Sequence, residues 1–240
     1  MRHGGSQLPT DVSRTALSGA FAALEPRLAE HRAERAALRR RTAPDFNVFD
    51  FIEPTENVLS DIMGFFLDPA ASHGQGTLFL RTLIGLVRPD LEIDCQRPTL
   101  AREAQTYSIP QKQRRIDLLI TLDAFILAIE NKKFSGEGRN QIHDYIQHLQ
   151  NIAGGRHCCL IFLNQTGTQA TSIDREYAAK LSERRQLMSW SWERDIPSWL
   201  RECEHQCEAG KIRHFIEDFE NYIAGYLAAQ KQITNDDYDT

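Results

Sequence analysis

The stretch Arg115-Ile-Asp-Leu-Leu-Ile-Thr-Leu-Asp-Ala-Phe-Ile-Leu-Ala-Ile-Glu-Asn-Lys-Lys133 decides how the chain is read. Its two apolar runs, Arg115 to Leu122 and Phe125 to Asn131, are too short for helices and are separated by a tight Asp123-Ala124 corner. Short apolar runs bounded by turns are strands of a sheet covered on both faces. Two carboxylates interrupt them, and a charge inside an apolar strand is expensive unless it is paired or bound to a cation. Glu130 and Lys132 lie two apart and therefore point to the same side of a strand. If the two runs pair as a hairpin, Asp117 comes to Glu130 on that side with the lysine beside them. Two carboxylates in a small space repel, and a divalent cation removes that cost while keeping both ionised. Hard oxygen donors suit Mg²⁺ or Mn²⁺ rather than zinc. A lysine next to such a metal can steady a hydroxide or the charge building on a phosphate, so these residues together can hydrolyse a phosphodiester. The competing reading makes Asp117 a strand-end cap and Glu130 with Lys132 an edge ion pair.

Outward from the hairpin the period changes to that of helices. Glu137 to Ile152 carries Ile142, Ile146 and Leu149 as one stripe, with Gln141 and Tyr145 four apart on one face and His148 continuing their line. That polar strip can line the same cleft and touch phosphate or base, or it can be a half-exposed flank. Cys158 to Leu163 reads as a further buried strand and Leu187 to Trp192 as a short one. Leu91 to Leu100 and Gln105 to Ile109 read as extended. Before them, helices are expected over about Ser18 to Arg40, from Pro54 in a first turn through Leu67, and over Thr77 to Val87; two more close the chain, about Pro197 to Cys207 and Lys211 to Lys231. The order implies one α/β domain over residues 14–232, with a mixed central sheet flanked by helices. Residues 1–13 read as a flexible tail and 233–240 as a disordered acidic one.

Composition bounds the function. With 240 residues, 41% apolar and a net charge of −5, the chain can bury a core without a structural metal. No stretch approaches a membrane span and the first residues lack the apolar segment of a secretory signal, so a cytoplasmic protein without membrane contact is expected. Five cysteines, two of them adjacent in an apolar run, suit reduced core thiols. Cys203, His205 and Cys207 form the one other group with metal-ligand chemistry; a helix bearing two half-buried cysteines is the preferred reading. Residues 1–48 carry eight basic and five acidic groups, including Arg39 to Arg41, read as the solvated end of a helix, whereas residues 193–240 carry five basic and eleven acidic. A uniformly basic surface is excluded, but local patches suffice for a nucleic-acid partner. Trp190, Trp192 and Trp199 read as core or dimer contacts, and His73 as structural or capping.

Ile116-Asp117, Glu130-Asn131-Lys132 and Gln141-Ile-His-Asp-Tyr145, taken in order, resemble the PD-(D/E)xK nuclease superfamily, in particular its small bacterial branch with a following Gln-x-x-x-Tyr pair. Glu56-Asn57 opening a helix, Phe66-Leu67-Asp68-Pro69, His73-Gly74 and Phe79-Leu80 are similar to the N-terminal part of that branch. The resemblance runs from about Phe51 to Leu163; Ile116 replaces the usual proline. It implies a restriction-endonuclease-like core with a mixed sheet of about four strands, and Mg²⁺- or Mn²⁺-dependent cleavage of nucleic acid, DNA in preference to RNA. Phage defence or mobile-element biology is the setting it implies. By the same resemblance Asp117, Glu130 and the Asn131 carbonyl would hold the metal, with Glu56 binding it directly or through water. Lys132 would activate the attacking water, and Gln141 and Tyr145 would position the phosphate. Arg114, Arg115, Lys133 and His148 are candidates for the nucleic-acid backbone. A homodimer or a partner protein is compatible with the acidic C-terminal half. The alternative is a non-catalytic module of nuclease fold that binds nucleic acid or a protein. An enzyme for a small phosphorylated substrate would need a Gly-rich phosphate cradle, which the chain lacks.

Overall fold

A computed structural model describes residues 10–109, 114–133 and 136–236, with side chains described between residues 24 and 226 of that span. The chain divides into two compact units, residues 1–46 and 47–240. The first contains helix α1 (Thr10–Thr42), so helix occupies the last residues of the expected tail 1–13; residues 1–9 lie outside the described residues. Leu24, Leu28 and Leu38, expected to be its apolar positions, are each about half exposed at 48%, 50% and 56%. Helix α1 ends in three arginines, Arg39 to Arg41, which complement the negative end of the helix dipole. Ala43 then adopts a left-handed φ of 41° before Pro44, and Arg39 pairs with Asp45.

The second unit is built on a mixed sheet of five strands in the order β1-β2-β3-β4-β5: β1 (Thr99–Gln105), β2 (Arg115–Thr121), β3 (Phe125–Lys132), β4 (His157–Asn164) and β5 (Leu187–Ser191). The first three run antiparallel, while β3, β4 and β5 are parallel. Strands β3 and β4 are buried along nearly their whole length, as their unbroken apolar runs require. On one face lie α2 (Glu56–Leu67), α3 (Leu78–Val87), α6 (Asp195–Gln206) and α7 (Gly210–Asp236). Phe66, Phe79, Trp192, Trp199 and Phe219 fill that layer with Leu118, Ile120, Leu127 and Ile161 of the sheet. The opposite face carries α4 (Gln141–Ile152) and α5 (Arg175–Glu183), packed through Ile142, Tyr145, Leu149, Ala178 and Leu181 onto Ile126, Ala128 and Leu160.

The mixed sheet flanked by helices is as expected, with five strands where about four were anticipated. Strand β1 occupies the interval between the two stretches read as extended, meeting each only at its end, because it is an edge strand with no fully buried residue and so no apolar run. Helix α5 has no counterpart among the expected helices: its buried side is Ala178 and Leu181 with Tyr177 packed beside them, and its start is fixed locally by the Asp174 side chain accepting from Tyr177 N. Pro54 lies before the cap of α2 rather than in its first turn; Thr55 is the cap and accepts from Val58 N. Helix α4 begins at Gln141, later than the Glu137 expected, because Asn140 turns left-handed at φ 57° and Glu137 is engaged elsewhere. Helix α7 runs into the acidic tail as far as Asp236, and residues 237–240 lie outside the described residues.

Candidate active site

Strands β2 and β3 stay paired from the hairpin corner to Leu118–Ile129, one step short of Asp117–Glu130. On its other side β2 also loses a pair at Asp117, where Glu103 of β1 takes a left-handed φ of 48°. The alternation of faces breaks at the same point: Leu118 and Ile120 belong to the α2 layer, but Ile116 packs with α4. A local interruption of this kind re-aims a side chain next to a ladder. Here the Asp117 carboxylate replaces the missing backbone partner, and its Oδ2 accepts from Asn131 N at 2.7 Å. The Asp117 carbonyl accepts from Arg102, whose guanidinium also donates to Asn57 O at 3.1 Å and to Asp61 Oδ1 at 2.7 Å. Arg102 thus ties the start of α2 to the strand that carries Asp117.

Beyond this point β3 alternates between layers. Asn131 faces α2, with Nδ2 donating to Glu56 O at 3.1 Å and to Ser60 Oγ at 3.2 Å, and Oδ1 accepting from Trp192 Nε1 at 2.9 Å. Glu130 and Lys132 face the other way, as their spacing demands. Glu130 is 1% exposed. Its Oε1 accepts from Lys132 Nζ at 3.2 Å and from Gln141 Nε2 at 2.6 Å, while Oε2 is buried without a hydrogen-bond partner.

Gln141 and Tyr145 serve that carboxylate. Gln141 Oε1 accepts from Gly138 N at 2.9 Å, its amide also donates to Tyr145 Oη at 2.9 Å, and the phenol donates to Arg115 O at 2.6 Å. These bonds engage the polar atoms of both side chains, which were expected at a phosphate, with Glu130 and β2. The start of α4 is anchored by Glu137, whose carboxylate accepts from the backbone and hydroxyls of Thr171 and Ser172 at 2.6 to 2.9 Å. Burial pushes its pKa up, but those four bonds together outweigh it and hold the carboxyl below its ordinary value.

Electrostatics set Asp117 and Glu130 against each other. Burial, and next the nearby Asp117 charge, push Glu130 up to about 8. Burial also raises Asp117, against the opposing pull of the Asn131 N–H and the charges of Lys132 and Arg102. Both shifts penalise negative charge that a divalent cation would neutralise. Two carboxylates brought together where β2 and β3 part, one with a buried oxygen lacking a hydrogen-bond partner, fit a hard cation such as Mg²⁺ or Mn²⁺. Among the described residues no group of three or more His, Cys, Asp and Glu is placed to hold a metal ion, so Glu56 does not complete a three-carboxylate cluster. Glu56 is half-buried at the start of α2 and acts on Asp117 through its charge, further raising it.

The four residues expected at a nucleic-acid backbone are placed differently. Lys133 is 5% exposed, its ammonium lying 4.0 Å from the ring centre of Tyr226 and 4.6 Å from that of Tyr222; burial pushes it down to about 8. His148 is fully buried, with Nδ1 at 2.6 Å from Ser108 Oγ. Both side chains, expected at the surface, are enclosed by the protein. Arg114 is half-buried and bound to Asp144 at 2.8 Å and to Arg139 O. Arg115 is exposed and paired with Glu103 at 2.8 Å. Beside Glu56 a cavity of about 860 Å³ opens between the residue 48–50 turn, the start of α2 and α7. Asp50, Glu53 and Glu56 line it with Phe49, Tyr222 and Tyr226, and no basic side chain stands among its lining residues.

Other residues singled out in the sequence are structural. His73 is buried, bound to Asp68 O and accepting from Gln75 N, and edge-on to Phe65 and Phe79. All three tryptophans are buried in the α2 layer. Cys203 and Cys207 are buried, whereas His205 is exposed. Arg102, Asp144 and Glu137 were missed. Arg102 sits on the one strand without an apolar signature, and the partners of Glu137 lie 34 or more residues away.

A family model described as the PD-(D/E)XK nuclease superfamily matches residues 46–221. No curated protein and no solved structure matches the chain.

Proposed function

The chain belongs to the PD-(D/E)XK nuclease superfamily, and from that premise we propose that it is a metal-dependent phosphodiesterase acting on nucleic acid, a DNA endonuclease in preference to an RNA one. The single observation that carries the reading is the meeting of Asp117, Glu130 and Lys132 where β2 and β3 part, with Glu130 Oε2 buried and unpartnered. Asp117, Glu130 and the Asn131 carbonyl would hold Mg²⁺ or Mn²⁺, with Glu56 engaged through water. Bound there, the cation supplies polarisation of the phosphoryl oxygen and a lowered pKa for water.

The remaining work falls to the chain's own groups. Lys132, held at Glu130 Oε1, offers its Nζ protons to orient the attacking water and to meet charge developing on the phosphate. Gln141 holds the Glu130 carboxylate by donating to Oε1, and Tyr145 braces Gln141, which leaves Oε2 buried and without a hydrogen-bond partner. Arg115 is the exposed cation nearest the site in sequence and would meet the DNA backbone by exchanging its Glu103 partner for phosphate. Phage defence or mobile-element biology is the setting such an activity would serve.

The test is cleavage of linear, supercoiled, single-stranded and branched DNA and of RNA, with Mg²⁺, Mn²⁺ or EDTA. Wild type is expected to cut DNA only with metal, and Asp117→Ala, Glu130→Ala and Lys132→Ala are each expected to lose about 100-fold or more in kcat. A folded, metal-binding wild type that cuts nothing would leave a non-catalytic module of nuclease fold.

A further inference from the structure

Residues 130 to 133 alternate between the two layers, and this alternation determines how Lys132 is aimed. Asn131 is bound on the α2 side to Ser60, to the Glu56 carbonyl and to Trp192. Lys133 returns to that side two residues later. Its buried ammonium lies over three rings, at 4.0 Å from the centre of Tyr226, 4.6 Å from Tyr222 and 5.8 Å from Trp192. An ammonium inside a protein is costly unless compensated, and a face of aromatic rings is one of its few uncharged partners. Trp192 follows β5, and both tyrosines stand one helical turn apart on α7. The two neighbours of Lys132 are therefore fastened to one layer, which forces Lys132 to the other, where its Nζ reaches Glu130 at 3.2 Å.

We propose that Lys133 is a positioning residue for Lys132, and that Trp192, Tyr222 and Tyr226 form an aromatic clamp through which helix α7 holds the end of β3 in its working register. The proposal rests on the nuclease reading for its effect on rate, but the clamp itself is a property of the strand. Acting through Lys132, it bears on the chemical step rather than on substrate binding, because the Lys133 side chain is buried beneath the rings.

Two readouts test it in the full chain. Lys133→Met, which keeps an unbranched apolar stem without the charge, is expected to lower kcat at least about 10-fold with KM for DNA unchanged, since small misplacement of a reacting group is costly. Lys133→Arg, which keeps a cation over the rings, is expected to stay within about 3-fold of wild type. Hydrogen exchange followed by mass spectrometry is expected to quicken about 10-fold or more in the peptide covering Asn131 to Lys133 of Lys133→Met, with β4 unchanged. A general loss of packing would instead quicken both strands. If Lys133→Met does not fold, Tyr226→Leu and Tyr226→Phe take its place, and only the former is expected to show the same two changes. Wild-type kcat with wild-type exchange at the end of β3 in a folded Lys133→Met, or in Tyr226→Leu, would overturn the clamp. Should wild type cleave no nucleic acid, the nuclease reading fails, and exchange alone still decides the clamp.

Discussion

The protonation of Glu130 is coupled to stability. In the metal-free protein its pKa stands at about 8 against an ordinary 4.5, so the folded chain keeps a proton that the unfolded chain has already lost over that interval. The unfolded state then binds fewer protons than the folded one, and stability falls as pH rises between these values. The melting temperature of the metal-free protein, followed by differential scanning fluorimetry, is therefore expected to drop from about pH 5 to about pH 8. Glu130→Gln, which cannot ionise, is expected to flatten that slope. Mg²⁺ or Mn²⁺ is expected to reverse it, because the cation competes with the same proton. A slope that survives in Glu130→Gln would mean that another group dominates the titration.

Helix α4 is the element that turns a strand-end carboxylate into an oriented one. Its first residue, Gln141, spends its amide on Glu130 and Tyr145 and its carbonyl on Gly138 N. Gln141→Leu keeps the volume but removes the bond from Gly138 N and one of the bonds at Glu130 Oε1 and at Tyr145 Oη, which keep Lys132 and Arg115 O, at a cost of about 1 kcal/mol for each bond lost. We expect a lower denaturation midpoint by urea titration and a kcat reduced about 10-fold, with the metal still bound. The parts of this architecture that sequence made legible are those with a short-range signature. Strands β3 and β4 were readable because both of their faces are buried, and the Glu130–Lys132 pair because side chains on a strand repeat every second residue. Strand β1 and helix α5 were not, since each offers too narrow an apolar side for its period to show. Gln141 and Tyr145 were recognised as one face of α4, but the direction of their bonds depends on loop residues such as Gly138 that no spacing reveals. Lys133 and His148 look like surface cations in a list of residues, and their burial follows only from the rings and the hydroxyl that other elements bring to them.

Among the described residues of the second unit, the sheet separates two layers of unlike size: four helices on one face and two on the other. Among the described residues no helix is long and apolar enough to cross a membrane. The adjacent cysteines of β4 straddle the division, Cys158 entering the α4 layer and Cys159 the α2 layer. Both are buried, and burial pushes both thiols up from their ordinary range. Thiols in that state react only when the structure opens, so alkylation of the native protein at neutral pH is expected to run at least about 100-fold slower than that of a free thiol. Mass spectrometry of partially labelled protein can score the two positions separately. Two neighbouring atoms in the sequence thereby become independent clocks, one for each side of the sheet, and the order in which they start records which side comes apart first.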